Sequence, residues 1–388
     1  MIFTIRWTSP EPFPRKYTLT NELLMFLPSP TPVPSMAWCL ADCSTTLLTV
    51  PGLGTPIHRG VRPFFSEGEG EGVTPSGADE FHHVSVLLEE AIHFLAPAAG
   101  KTIVEATLGG AGHAAAILER GARLIGFDRD PEALAHARAR LSKYGEAFES
   151  RRTNFSDLLA VGKEMAPGGV DGILLDLGVS SHHLDSAERG FSLRHGGPLD
   201  MRMDPSENLT AADIVNQWGE DELARIFRDL GEERRAKAVA RAIVRRRASQ
   251  PFKDTLDLAD CVAGVVARKG RIHPATRVFQ ALRMTVNREL ESLEDALEAA
   301  PALLKPGGRI AVITFHSLED RIVKHFFKAR SQRELDRPEW PAPRPNPDCC
   351  FRLLTRRPVA PAEGEVTKNP RARSAKLRVA EKLAESEA

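Results

Sequence analysis

The chain has 388 residues, enough for about two to three domains by length alone, and its composition is that of a globular protein. Its 52 basic and 52 acidic residues cancel, which at first argues against a nucleic-acid partner. No apolar run approaches the ~20 residues needed to cross a bilayer, Leu23 to Leu27 is too short for a signal core, and five cysteines without framework spacing fit a reducing cytosol.

Residues 1–80 stand apart. They hold 11 of the 28 prolines and the acidic glycine run from Ser66 to Gly72. Without periodicity, they read as a disordered extension. With five basic and eight acidic residues, they do not resemble an import peptide. A start near Val73 would leave most of them out.

Ordered texture begins near Phe81. Val84, Leu87, Leu88, Ala91, Ile92 and Leu95 repeat at helical spacing. Thr102-Ile-Val-Glu105 predicts a short buried strand, followed by the glycine loop Gly109-Gly-Ala-Gly112 and a helix through Ala114 to Arg120. Leu124 to Phe127 predicts a second strand ending at Asp128, and Pro131 opens the next helix. A weak strand is expected near Phe148 to Arg152. Gly172 to Leu175 predicts a further strand ending at Asp176, and Arg309 to Thr314 another. Strand and helix alternate, so the core is expected to be a parallel sheet with helices on both faces. Between residues 183 and 275 the alternation stops, which predicts a helical domain inserted between core segments 81–182 and 276–388.

Charge is regional. Residues 225–253 carry ten basic and three acidic residues, and residues 321–388 carry sixteen and nine. Arg234, Lys237, Arg241 and Arg245 are spaced by three, four and four, which predicts one basic stripe on a helix. Such a stripe is either a solvated face or a phosphate-binding one. At Ser317 the spacing to Asp320 predicts a capping box for the last long helix. No cysteine or histidine set has metal-ligand spacing, so no metal is expected.

A glycine loop between strand and helix brings backbone N–H groups close to a ligand. Asp128, at the next strand end, is placed to accept from ribose hydroxyls. Gly110-Ala-Gly112-His-Ala-Ala115 also fits a dinucleotide pattern, so the loop alone leaves NAD and S-adenosylmethionine open. Glu105, Asp128 and Asp176 at three strand ends suit a sulfonium cation better than a pyrophosphate. An NAD-dependent oxidoreductase is the enzymatic alternative, and a non-catalytic RNA-binding or assembly factor that keeps the fold the other.

Many segments in order resemble one family, the RsmH (MraW) ribosomal RNA small-subunit methyltransferases. They include His83-Val-Ser-Val-Leu-Leu-Glu-Glu-Ala91, Ala106-Thr-Leu-Gly-Gly-Ala-Gly-His113 and Asp171-Gly-Ile-Leu-Leu-Asp-Leu-Gly-Val-Ser-Ser181. Gly197-Pro-Leu-Asp-Met-Arg-Met-Asp204, His273-Pro-Ala-Thr-Arg-Val-Phe-Gln280 and Asn369-Pro-Arg-Ala-Arg-Ser374 follow. The resemblance implies a Rossmann-like class I methyltransferase with an inserted helical domain that recognises RNA. It implies S-adenosylmethionine as cofactor and methylation of the N4 amine of a decoding-centre cytidine in 16S rRNA, in the cytoplasm. The oligomeric state stays open, a homodimer included.

Residue by residue, it implies cofactor contacts at Ala111, Gly112 and His113, with Gly110 in the same loop, and at Asp128, Phe155, Asp176 and His183. Some relatives have glutamine where His183 stands and glycine where Ala111 stands. The amine acceptor could be Asp176, Ser180 or a backbone carbonyl, because the loop after Asp176 lacks the prolines and aromatic of many amino-methyltransferases. Phe191, Phe315 and His316 are candidates to touch the base, with core packing the plainer role for each aromatic. The basic stripe, Arg371 and Arg373 are expected to hold RNA phosphates.

Overall fold

A computed structural model describes residues 85–180, 186–193, 195–268, 270 and 272–384. The expectations for residues 1–80 and for His183 lie outside the described residues.

In chain order, α1 (Leu88–Leu95) leads to β1 (Thr102–Glu105), α2 (Gly112–Glu119), β2 (Arg123–Asp128) and α3 (Pro131–Leu141). Then come β3 (Phe148–Arg152), α4 (Leu158–Met165) and β4 (Val170–Asp176). The helices α5 (Ala211–Gln217), α6 (Glu220–Asp229), α7 (Ala236–Arg247), α8 (Thr255–Ala263), α9 (Thr276–Asn287) and α10 (Glu289–Leu303) follow. The chain ends with β5 (Leu304–Thr314), α11 (Ser317–Ser331), the ribbon β6 (Glu334–Leu335) and β7 (Arg344–Pro345), then β8 (Phe351–Leu353), α12 (Glu363–Lys368) and β9 (Lys376–Lys382).

The main sheet has seven strands in the order β3-β2-β1-β4-β5-β9-β8. β1 to β5 pair in parallel, and β9 closes antiparallel on β5 and β8. The strands read as continuous apolar runs because both faces are covered. Successive residues feed opposite faces: Ile103, Leu174, Ala311 and Ile313 pack with α1, α2 and α3, whereas Val104, Ile173, Leu175, Ile310 and Val312 pack with α4, α10 and α11. This is a Rossmann-like α/β fold. The strand order reverses between β1 and β4, which opens a crevice at the strands' carboxyl ends.

Between β4 and β5 a separate apolar cluster runs from Phe191 to Val286, built on α5 to α9. No helix among the described residues is long and apolar enough to cross a membrane.

Two local expectations are corrected. Arg234 lies in the turn before α7, which starts only at Ala236, so the helical stripe is Lys237, Arg241 and Arg245. The chain reverses there, with Glu232 at φ 49° and Arg235 N–H donating to the Glu233 carboxylate at 2.8 Å. The cap of α11 is His316, one residue earlier than Ser317: its ring accepts from Glu319 N–H, and the Glu319 carboxylate accepts from His316 N–H. Ser317 is the first helical residue, and its hydroxyl donates to Glu232.

Candidate cofactor cleft and reaction site

The glycine loop is held by the strands it joins. Ala106 N–H donates to Leu174 O, Leu108 N–H to Phe127 O, and Gly109 N–H to Asp128 Oδ2 at 2.8 Å. Asp128 Oδ1 accepts from Asp130 N–H at 2.9 Å. The carboxylate is thus locked at the end of β2. Gly109 takes φ 45°, a conformation that favours glycine, and a Cβ at Gly112 would stand 1.9 Å from Ser85 Oγ, which would have to turn away. Ala111 also sits in the left-handed region, at φ 58°.

Glu105, Asp128 and Asp176, from the ends of β1, β2 and β4, line one cleft together with Gly110, Ala111, Gly112, His113, Phe155 and Ser180. Thr107 Oγ1 accepts from Asp176 N–H at 2.6 Å. His113 is buried; Nε2 lies 3.1 Å from Val86 O, and Nδ1 lies 3.6 Å from Asp176 Oδ2. A carbonyl only accepts, so Nε2 carries a proton. Burial, then the Glu319 charge, pushes the Asp176 carboxyl up to about 7. Glu105 is raised well above the usual carboxylate range by burial, then by Asp176 and Asp128. Glu105 Oε2 and Asp176 Oδ1 are buried with no hydrogen-bond partner among the described residues.

The far wall comes from later in the chain. Glu289 and Glu319 line the cleft. Glu289 is bound by both ends of the Arg283 guanidinium, at 2.9 and 2.8 Å. Glu319 Oε2 accepts from Phe315 N–H at 2.8 Å, and Oε1 lies 3.0 Å from His316 Nε2. Donor atoms of Glu289, His316 and Glu319 lie within 4.8 Å of one another, a spacing that could hold a metal ion. Glu289 is paired with Arg283 and Glu319 with backbone N–H groups, while His316 Nε2 makes no hydrogen bond among the described residues.

The remaining expected residues divide. Phe315 lines the cleft and Arg371 stands on its rim. His316 does not line it, since its ring caps α11. Phe191 is buried in the helical cluster. Arg234, Lys237, Arg241, Arg245 and Arg373 are exposed away from the cleft, with Arg241 Nε 3.3 Å from a Glu220 oxygen. Ser85, Thr107, Arg129, Asn154, Glu289 and Glu319 also line it and were not anticipated. Ser85 lies within the segment ahead of α1, and Asn154 directly precedes Phe155, so both had a positional signal; Glu289 and Glu319 read only as helix residues.

Comparison with known proteins agrees with the motifs. Residues 80–383 match the profile described as the MraW methylase family. "Ribosomal RNA small subunit methyltransferase H" of Geobacter sp. (strain M21) is 50% identical over 317 residues, covering 79% of this chain and 100% of that protein. The proteins of that name from Carboxydothermus hydrogenoformans and Trichlorobacter lovleyi are 50% and 51% identical, over 78% and 79% of this chain and 99% of each relative. From residue 80 to residue 383, the chain belongs to the MraW methylase family.

Proposed function

We infer that this chain transfers a methyl group from S-adenosylmethionine to the N4 amine of a decoding-centre cytidine in 16S rRNA, within the small ribosomal subunit in the cytoplasm. The observation that carries the reading is the set of three carboxylates at adjacent strand ends, two of which keep a buried, unpartnered oxygen. Such atoms call for donors or a cation. A cationic sulfonium, an ammonium and ribose hydroxyls meet that demand. A pyrophosphate would not: one negative charge about 5 Å from a carboxylate is opposed by roughly 3 kcal/mol at an effective dielectric of about 20.

When bound, the cofactor supplies a methyl carbon activated by the adjoining positive sulfur. The chain supplies placement. The Asp128 carboxylate at the end of β2 suits the two ribose hydroxyls, and Phe155, following β3, offers an apolar wall for adenine. The cytosine amine is a poor nucleophile because its lone pair is delocalised into the ring. An acceptor for its N–H groups draws that lone pair out of conjugation and aims it in line. Asp176 Oδ1 and the Ser180 hydroxyl stand in the cleft for that role. With a pKa near 7, Asp176 can also take the proton that the methylated amine must shed.

Lys237, Arg241 and Arg245 on α7, with Arg234 and Arg373, supply exposed cations for RNA phosphates. The helical segment 183–275 would carry the RNA to the cleft. Isothermal titration with S-adenosylmethionine and NAD tests the cofactor reading: binding of the first alone is expected, and binding of NAD alone overturns it.

A further inference from the structure

Arg371 was expected at the RNA surface, yet it stands on the rim of the cleft. The sheet explains how. β9 starts at Lys376, opposite Thr314 at the carboxyl end of β5. The short helical turn Pro370–Ser374 ahead of it therefore lies at the same edge of the sheet as the three carboxylates. Ala372 and Ala375 are buried in one cluster with Leu87, Ala111 and Ala114, which seats this turn on the starts of α1 and α2. Leu87 N–H donates to Glu365 Oε1 at 2.8 Å, which ties down the chain just ahead of the turn, and Arg371 N–H donates to Asn369 Oδ1 at 3.1 Å within it. Asn369 and Arg371 line the cleft, whereas Arg373 does not.

Two further groups share this end. Ser85 is 7% exposed, and its hydroxyl, which makes no hydrogen bond among the described residues, lies against Gly112, where a Cβ would stand 1.9 Å from Oγ. Gly112 opens α2, whose preceding residue Ala111 gives no side-chain cap. The first turn of a helix presents N–H groups without intrahelical acceptors and the positive end of the helix dipole. A guanidinium, a buried hydroxyl and a helix N-terminus form a site for a carboxylate. The adenine wall at Phe155 follows β3, at the other side of the sheet order.

We propose that Arg371 and Ser85, with the N-terminus of α2, bind the amino-acid carboxylate of the methyl donor, so that the C-terminal Asn369-Pro-Arg371 turn acts on the cofactor. The assignment rests on the S-adenosylmethionine reading and extends it. Arg371 then selects for a donor that carries a carboxylate, while Glu105 and Asp176 face its ammonium and sulfonium charges.

The test is calorimetric binding of S-adenosylmethionine and of decarboxylated S-adenosylmethionine to the full chain. In Arg371→Ala, affinity for S-adenosylmethionine is expected to fall about tenfold or more, and affinity for the decarboxylated ligand by less than about twofold. Ser85→Ala should show the same selectivity with a smaller loss, and Arg371→Lys should keep part of the affinity. Equal losses for both ligands, or no loss for either, overturn the assignment. A wild-type chain that binds neither ligand overturns the methyl-donor reading itself, and this assignment with it.

Discussion

Asp176→Asn separates the two consequences of placing a carboxylate in this cleft. The carboxyl is raised from 3.8 to about 7, first by burial and then by the Glu319 charge. A raised acid favours its neutral form in the fold. Its contribution to stability is full below about pH 4 and is lost as pH rises to about 7. The step corresponds to at most about 4 kcal/mol of folding free energy. Asparagine has nearly the same shape and is never charged, so it does not incur that loss. Asp176→Asn should therefore be more stable than the parent, and the gap should widen by about 3 kcal/mol between pH 5 and pH 8. Urea unfolding at the two pH values measures this. A gap that stays flat with pH, or a less stable variant, would falsify the burial argument. The same titration sets the reaction's pH dependence. On the proposed mechanism the ionised form is the acceptor, so methyl transfer should rise between pH 6 and 8 with a midpoint near 7, and that step should vanish in the variant.

Other substitutions probe separate parts of the account. His316→Ala should cost about 1 kcal/mol as loss of a helix cap, and Ser317→Ala less than about 0.5 kcal/mol, by thermal unfolding; the reverse order would restore Ser317 as the cap. Ala111→Gly should leave stability equal or raise it by up to about 1 kcal/mol, because φ 58° strains an alanine. Asp128→Ala should weaken S-adenosylmethionine binding by more than about tenfold, through lost ribose contacts and a loosened Gly109 turn. Charge reversal at Arg241 and Arg245 should weaken RNA binding and reduce its salt slope by about 2, whereas an unchanged slope returns this face to the solvent.

The near side of the site was legible because local chemistry dictates it. Buried parallel strands are continuous apolar runs, and each acid follows its run directly, so Glu105, Asp128 and Asp176 could be placed before their contacts were known. The glycine loop had to turn tightly, and Gly109 and Ala111 do so, at φ 45° and 58°. The far wall was not legible. Glu289 and Glu319 reach the cleft only through packing of α10 and α11 on the sheet, and both read as ordinary helix acids. The cap of α11 was misplaced by one residue because Ser-x-x-Asp and His-x-x-Glu overlap, and the buried Glu319 decided between them. Arg234 fits a helical spacing, yet the turn at Glu232 delays the helix past it. Arg371 looked like an outer cation because its neighbours are basic, whereas Ala372 and Ala375 pull its turn onto the cleft rim.

The central claim is tested most directly by methyl transfer to small ribosomal subunits that lack the modification, followed by nucleoside mass spectrometry of their 16S rRNA. With S-adenosylmethionine, the parent chain should produce N4-methylcytidine at a single decoding-centre position, and Asp176→Ala should produce none. Methylation at another atom or nucleotide, undiminished product from Asp176→Ala, or no product from the parent chain would contradict the account.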